Sequence, residues 1–564
     1  MNFSFSLRIL VLALAASHVS ACFADAPASK ANPAVSCADL LRLACNAEKH
    51  DASEAVRRYL EAGTCAWKAM EQLAPMGADA VANSDAARVH RDAIFGLLRA
   101  AQNAVAQEPN GGRFALMPGL GAVKVRLIGL AWKADDFHRF VVAALYRHEQ
   151  VTHHYAYPGI GAAHLALRFE QPGDKFNPKV NPIAVTALLR TEPGKDGDIP
   201  VLELINPNAV ASTEVAGVKV PLERDLSATF AFILAQGSRS YLRGFLNPSE
   251  PDVQPKLLMI EPYQQGKIPV IFAHGLYSEP NTWFDSANEL LAKPEFYRRF
   301  QVWGFRYPTG GAFLESATAY RRQLLELIAC SDPQGTDRAL QEIVLVGHSM
   351  GGLISKMQIT SSCDILWHQV SKHPFDQIRA SPEIRAKLDA IFFFEPVPNV
   401  SRIIYIASPH AGSPMANRPS GLLSKALVRY GSQQEEEFRQ FVDANWDLLT
   451  PYFKRRSRPT TIDMLKPHNP LLEALGRMPV SPRVRTHTIV GTGYFFPAMR
   501  PGDTIVPISS ARLPDVISEV MVKAKHTQIH RTSEAVAEMD RILMEHHAEF
   551  AAPPAEMVSG SPRK

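Results

Sequence analysis

Six cysteines in 564 residues are few, and no Cys-x-x-Cys pair or Cys/His cluster with zinc spacing occurs among them, so no metal is assigned to these side chains. An excess of one charge is also missing. Sixty Lys and Arg against 56 Asp and Glu leave +4 with His neutral, too little over this length to argue for a nucleic-acid partner. Past the N-terminus no apolar run is long enough to span a bilayer, and no internal repeat is visible. What is present, 46% apolar and 21% charged residues, has the profile of a globular protein. The length calls for two or three domains rather than a single core.

The N-terminus reads differently. Arg8 precedes the apolar run Ile9 to Ala16, and small residues follow. A basic residue, a short apolar stretch and a small-residue end describe an export signal over residues 1–24. The end of the run, Val19-Ser20-Ala21-Cys22, resembles a bacterial lipobox. Either Cys22 is lipidated and attaches the mature chain to a membrane, or ordinary cleavage follows Ala24. Both readings place the protein outside the cytoplasm: in the periplasm, at the outer membrane as a lipoprotein, or secreted. In an oxidising compartment, pairing is expected among Cys37, Cys45 and Cys65; with Cys330 and Cys363 the five are odd in number, so one stays free or pairs elsewhere.

Residues 36–110 are rich in Ala, Leu, Glu and Arg and poor in Gly and Pro, which predicts helices. From 111 to 252, short apolar runs such as Val123 to Ile128, Ala184 to Leu189 and Val201 to Ile205 alternate with Pro, Gly and Asn turns. That pattern predicts a small β-rich accessory domain, read as a sandwich. A third texture occupies 262–547. Continuous apolar strands (Ile268 to Ala273, Ile343 to Val346, Ile403 to Ala407, Thr486 to Val490) alternate with helical stretches. Strands with no polar face imply a doubly wound, mostly parallel sheet covered on both sides. Residues 550–564 read as a disordered tail.

The segment that carries chemistry is Ile343-Val344-Leu345-Val346-Gly347-His348-Ser349-Met350-Gly351-Gly352-Leu353. A buried strand runs into Gly-x-Ser-x-Gly and then into a helix-compatible stretch, which is the context of a nucleophile elbow. The turn would hold Ser349 above the sheet in strained backbone geometry, with small neighbours and a helix N-terminus behind it. A serine hydroxyl needs a base to take its proton. In this strand–turn–helix arrangement the partners follow in the order acid, then His. Asp503 lies after the strand at 486–490 and is preferred over Asp515, which lacks that strand and turn. His526 stands at the end of the strand-like Val520 to Lys523 and is preferred over His530, one helical turn later. The loop Ala273-His274-Gly275-Leu276-Tyr277 follows the first buried strand of this region. The backbone N–H groups of Leu276 and Met350 are the expected oxyanion donors, with His274 bracing the loop.

These segments together resemble the bacterial lipase and esterase branch of the α/β-hydrolase superfamily, including its GPI-inositol-deacylase-like relatives. The resemblance rests on His274-Gly275, Gly347-His348-Ser349-Met350-Gly351-Gly352, Ser408-Pro409-His410-Ala411-Gly412-Ser413 and Gly502-Asp503-Thr504-Ile505-Val506-Pro507, and covers about residues 262–547. It implies a Ser349–Asp503–His526 triad, hydrolysis of carboxylic esters of small molecules or lipids, and no organic cofactor. The structural calcium of some such lipases is not carried over, because no ligand set matches. Thr504 departs from the commoner Asp-Gly pair and alters a turn residue while leaving the carboxylate. Residues 413–482 fall between two core strands and are expected to form a helical lid. Leu422, Leu423, Leu427, Val428, Phe438, Phe441, Val442, Trp446, Leu448 and Leu449 either line an apolar pocket or simply pack the insert.

Other features are set aside. His153-His154 and His546-His547 read as surface residues rather than metal ligands, because adjacent side chains point apart. Arg306 to Gly311 forms a turn that shapes the site or is purely structural. Two alternatives to ester hydrolysis stand. One is an acyltransferase or amidase using the same triad; the other is a non-catalytic binding protein on a hydrolase fold.

Overall fold

The computed structural model describes residues 36–551, apart from 107–119, 121–122, 196, 237–242, 244–245, 251–252, 418–427, 429, 456 and 496–500. The export segment with Cys22, the C-terminal tail from 552 onward and Leu422, Leu423 and Leu427 lie outside the described residues.

The first part of the chain is helical. Helix α1 (Cys37–Ala47) starts with a capping box between Ser36 and Asp39, and α2 (Ala52–Leu73) starts at Asp51, whose carboxylate accepts from the Ser53 and Glu54 amides. Each cap satisfies amides that the first turn leaves without a partner. Helix α3 (Asp85–Ala106) follows. A disulfide joins Cys37 to Cys65 and so ties α1 to α2, leaving Cys45 free and exposed.

Next come β1 (Lys124–Ile128), β2 (Arg139–Val142), β3 (Ala162–Phe169), β4 (Val180–Glu192) and β5 (Ile199–Ile205), ordered β1-β5-β4-β3-β2 in one sheet. The sandwich expected here is not formed; the sheet is faced by helices. Ile183, Val185, Ala187 and Leu189 of β4 share a core with Ala55, Tyr59 and Ala62 of α2 and with Ala93 and Leu97 of α3. Ala184 joins Leu165 and Leu167 on the other face, against Ala228 and Phe232 of α4 (Ala228–Ala235). Small residues on α2 and α3 let the helices approach the sheet closely. The helical stretch and the strands therefore bury a common core.

The second sheet has seven strands. They are β6 (Lys256–Met259), β7 (Ile268–Ala273), β8 (Phe300–Arg306), β9 (Ile343–His348), β10 (Val400–Ile406), β11 (Arg485–Thr492) and β12 (Ser518–Lys523), in spatial order β6-β8-β7-β9-β10-β11-β12. Only β6 runs antiparallel to its neighbour; every other pairing is parallel. The expected doubly wound sheet is present. Its strands serve both faces, and the alternation is visible residue by residue. Leu345, Ile403 and Tyr405 point into a core with α6 (Phe313–Ser331) and α7 (Met350–Lys356), and Val344, Val346, Ile404 and Ile406 into one with α5 (Phe284–Leu291) and α11 (Ser533–Ala551). At about 1.5–3 kcal/mol for each fully buried aliphatic side chain, these central strands supply a large part of the driving force for folding.

Helix α8 (Pro382–Phe392) lies before β10, while α9 (Ser432–Ala444) and α10 (Pro470–Arg477) belong to the insert between β10 and β11. Phe441, Val442 and Leu449 join the core under the insert, whereas Trp446 is exposed, with Lys454 over its ring. The first unit docks on α5: Asp285 accepts from the Thr152 amide at 2.8 Å and hydroxyl at 2.7 Å, and Phe230 packs beside Ala287. Of the paired histidines expected at the surface, His153 is exposed, while His154 and His547 are partly covered and His546 is buried. His154 bonds Asp225 at 2.9 Å, His153 bonds Glu289 at 2.6 Å, and His546 is buried against the Glu342 carbonyl at 2.9 Å.

Candidate active site

The parallel strands end on one edge, and the loops that leave them there bring distant residues together. Strand β9 stops at His348 and α7 starts at Met350, so Ser349 alone makes the turn, with φ 54° and ψ −125°. A serine in that region is strained. Its amide is fixed to the Ile406 carbonyl of the neighbouring strand at 2.9 Å. The close packing of α7 requires Gly351: a Cβ there would collide with the Ala273 carbonyl at the end of β7.

His526 follows β12 and Asp503 lies in the loop after β11. The Ser349 Oγ to His526 Nε2 distance is 2.9 Å, and His526 Nδ1 lies 2.7 Å from Asp503 Oδ2. With Nδ1 donating to the carboxylate, Nε2 is left to accept the serine proton. Asp503 is itself held: Oδ1 accepts from the amides of Ile505 (3.0 Å) and Val506 (2.7 Å), and the His526 amide donates to the Asp503 carbonyl at 2.8 Å. All three residues are buried, at 6% (Ser349), 1% (Asp503) and 6% (His526) exposure, in a setting where water competes little for these bonds.

The rival positions fall elsewhere. Asp515 is exposed in a turn. His530 turns away from Ser349 and bonds Thr282, 3.0 Å from its carbonyl and 2.9 Å from its hydroxyl. The amides of Leu276 and Met350 have no backbone carbonyl partner among the described residues, as donors awaiting an oxyanion require. Gly275, beside Leu276, is close enough that a Cβ on it would meet Ser349 Cβ at 3.0 Å. His274 braces this loop. Its Nδ1 donates to the Gly275 carbonyl at 3.0 Å, its ring stacks on Tyr307 with centroids 4.2 Å apart, and the Tyr307 hydroxyl donates to its carbonyl. The turn from Arg306 to Gly311 thereby gains a role through Tyr307.

Sequence reasoning missed a further feature, a stack of imidazoles behind Ser349. His348 packs 4.8 Å from His526 and 4.5 Å from His530, and its Nε2 donates to the His526 carbonyl at 2.9 Å. Burial holds His348 well below the usual histidine range and pushes His530 down to about 3 and His274 to about 4. The adjacency of His348 to Ser349 is visible in the chain, but nothing local signals the stack. Among the described residues no group of three or more His, Cys, Asp or Glu is placed to hold a metal ion, and no helix is long and apolar enough to cross a membrane.

A parallel sheet with one antiparallel edge strand, a strained serine between strand and helix, and acid and histidine on later loops define a class. The chain belongs to the alpha/beta hydrolase family, whose model matches residues 270–552. Among solved structures it is similar to the mature lipase BlEst2 of Bacillus licheniformis, at 16% identity and TM-score 0.30 over 50% of this chain and 93% of that one. A carboxylesterase from the thaumarchaeon Nitrososphaera gargenis is similar at 14% identity and TM-score 0.28 over 54% and 97%. The esterase EaEST of Exiguobacterium antarcticum gives 14% and 0.28 over 52% and 94%. No curated protein matches the sequence.

Proposed function

We propose that the protein is an exported serine hydrolase that cleaves carboxylic esters through an acyl-enzyme intermediate. The observation that carries this reading is the continuous relay from Ser349 Oγ to His526 (2.9 Å) to Asp503 (2.7 Å). Ser349 Oγ attacks the ester carbonyl while its proton passes to His526 Nε2. The negative oxygen of the tetrahedral intermediate accepts from the Leu276 and Met350 amides. On collapse the C–O bond breaks and the alcohol leaves with the proton from His526. Water then repeats the sequence, releasing the acid and restoring Ser349. Asp503 holds the imidazole in the required tautomer and stabilises its cation.

A fluorophosphonate probe should label the protein, and Ser349→Ala should remove the label. Assay of p-nitrophenyl esters with and without an added alcohol separates hydrolysis from acyl transfer. Full turnover in Ser349→Ala would refute the reading. Export and attachment at Cys22 belong to the same proposal, supported by the lipobox-like Val19 to Cys22. Incorporation of a fatty-acid label in the cell, lost in Cys22→Ala, tests it; equal incorporation in the variant would leave ordinary cleavage after Ala24.

A further inference from the structure

Helices α6, α8 and α9, with Met464 and Leu471 from the insert, line an open-mouthed cavity of about 610 Å³, within the size range of small-molecule sites. Its walls are apolar, built from Leu314, Ile384, Leu388, Phe438, Phe441 and Met464. Neither the relay residues nor Leu276 and Met350 are among the described residues that line it, so the proposed mechanism leaves it unused. Its charged lining is specific. Arg458 is paired with Glu315, and Glu437 accepts from Gln433 at 3.0 Å. Arg322 on α6 and Lys387 on α8 also line the cavity. Both are exposed, and neither has a carboxylate partner among the described residues.

Two unpaired cations at an apolar cavity select the ligand chemistry. A sugar or other polar ligand would lose its hydrogen bonds to water without replacement. A neutral hydrocarbon would leave the cations unused, and a cationic head would face both of them with the Glu437 carboxylate as its counter-charge, so two cations against one acid favour an anionic head. We propose that this cavity binds a long-chain fatty acid, with its tail among the six apolar residues and its carboxylate held by Arg322 and Lys387, at a site separate from Ser349.

The test uses the full chain carrying Ser349→Ala, so its outcome does not depend on whether the protein hydrolyses esters. Calorimetric titration with saturated fatty acids of increasing length should show one site. Affinity should tighten about fourfold per methylene until the cavity is full. Replacing both cations (Arg322→Gln with Lys387→Gln) should weaken the acid by at least about tenfold, leaving the alcohol of equal length unchanged. Filling the cavity with Ala319→Trp, or with Ala386→Phe should the first variant not fold, should abolish binding. Absence of chain-length dependence, or binding that survives both filled variants, would overturn the proposal. So would Ala319→Trp in the Ser349 protein raising KM for long-chain esters, because the cavity would then belong to the ester cleft itself.

Discussion

Gly491 sits in β11 beside the acid of the relay, and Gly491→Ala is the sharpest probe of how that acid is held. A Cβ at this position would lie 2.5 Å from Asp503 Cβ and 3.0 Å from its Oδ2. Ordinary carbon contacts need about 3.5–4.0 Å, so the two must part by roughly 1 Å. The strand cannot yield easily, since Gly491 is paired with Val522 of β12 and β11 is held by β10 up to Ile489, two residues earlier. The loop carrying Asp503 must move instead. An outward shift of that size would stretch the 2.7 Å bond to His526 beyond hydrogen-bonding range. Misplacement by about 1 Å costs on the order of 10²-fold in rate, and overpacking costs about 1–3 kcal/mol of stability. The loss should fall on kcat and not on KM, because nothing that contacts the bound ester has changed. The assay is steady-state hydrolysis of a p-nitrophenyl ester, with a denaturant midpoint and near-UV circular dichroism to show that the fold is retained. Gly476→Ala is the control, since a Cβ there meets nothing within 4 Å. A folded Gly491→Ala protein with kcat within about twofold of the parent would refute the argument that Asp503 is fixed by close packing.

Asp503→Asn should lower kcat by about 10⁴-fold while leaving the fold intact, because an amide favours the wrong imidazole tautomer; stopped-flow or overnight hydrolysis assays cover that range. Thr504 holds φ at +90°, in territory that suits glycine, and strain of this kind costs about 1–3 kcal/mol. Thr504→Gly should therefore stabilise the protein by about 1 kcal/mol after the greater chain freedom of glycine is subtracted, visible as a higher denaturant midpoint with unchanged kcat. Burial pushes His274 down to about 4 and His530 to about 3, and at His487 burial, helped by the Arg402 guanidinium, pushes to about 4. Unfolded histidines take up protons near pH 6.5 while these stay neutral. The stability they contribute is complete above that pH and is lost as pH falls towards 4, at on the order of 1 kcal/mol per pH unit for each fully buried group. Urea midpoints that do not fall between about pH 7 and about pH 5 would contradict this.

Much of the second sheet was legible because its strands are apolar without alternation, a pattern that only a strand covered on both faces sustains. The elbow was legible for a different reason: its strand, turn and helix are contiguous. The sandwich reading of the first sheet erred on the same signal. Pro182 to Leu189 is continuously buried, so that strand too is covered on both faces; the helices of residues 36–106 cover one of them. The choice between His526 and His530 rested on position after a strand. The contact that separates them, His530 with Thr282, spans 248 residues and leaves no local trace. Gly491 gave no signal for a similar reason, since its neighbour is a side chain on the next loop.

Three histidines, His348, His526 and His530, crowd together behind Ser349, and their crowding bears on why a single one would serve as base on the proposed mechanism. On the proposed mechanism His526 becomes a cation during the reaction. A charged His348, with its ring 4.8 Å away, would oppose that cation by about 3 kcal/mol at the effective dielectric of a protein site. Burial, reinforced by the neighbouring His530 and His526 rings, holds His348 well below the usual histidine range and so disfavours its charged form. The bond from His348 Nε2 to the His526 carbonyl lets the neutral ring position the base without adding charge. Replacing His348 with a residue of similar shape that keeps a donor there, such as Asn, should then preserve most of kcat. His348→Lys should depress it if the fold survives. Equal rates in the two folded variants would show that charge behind His526 does not matter.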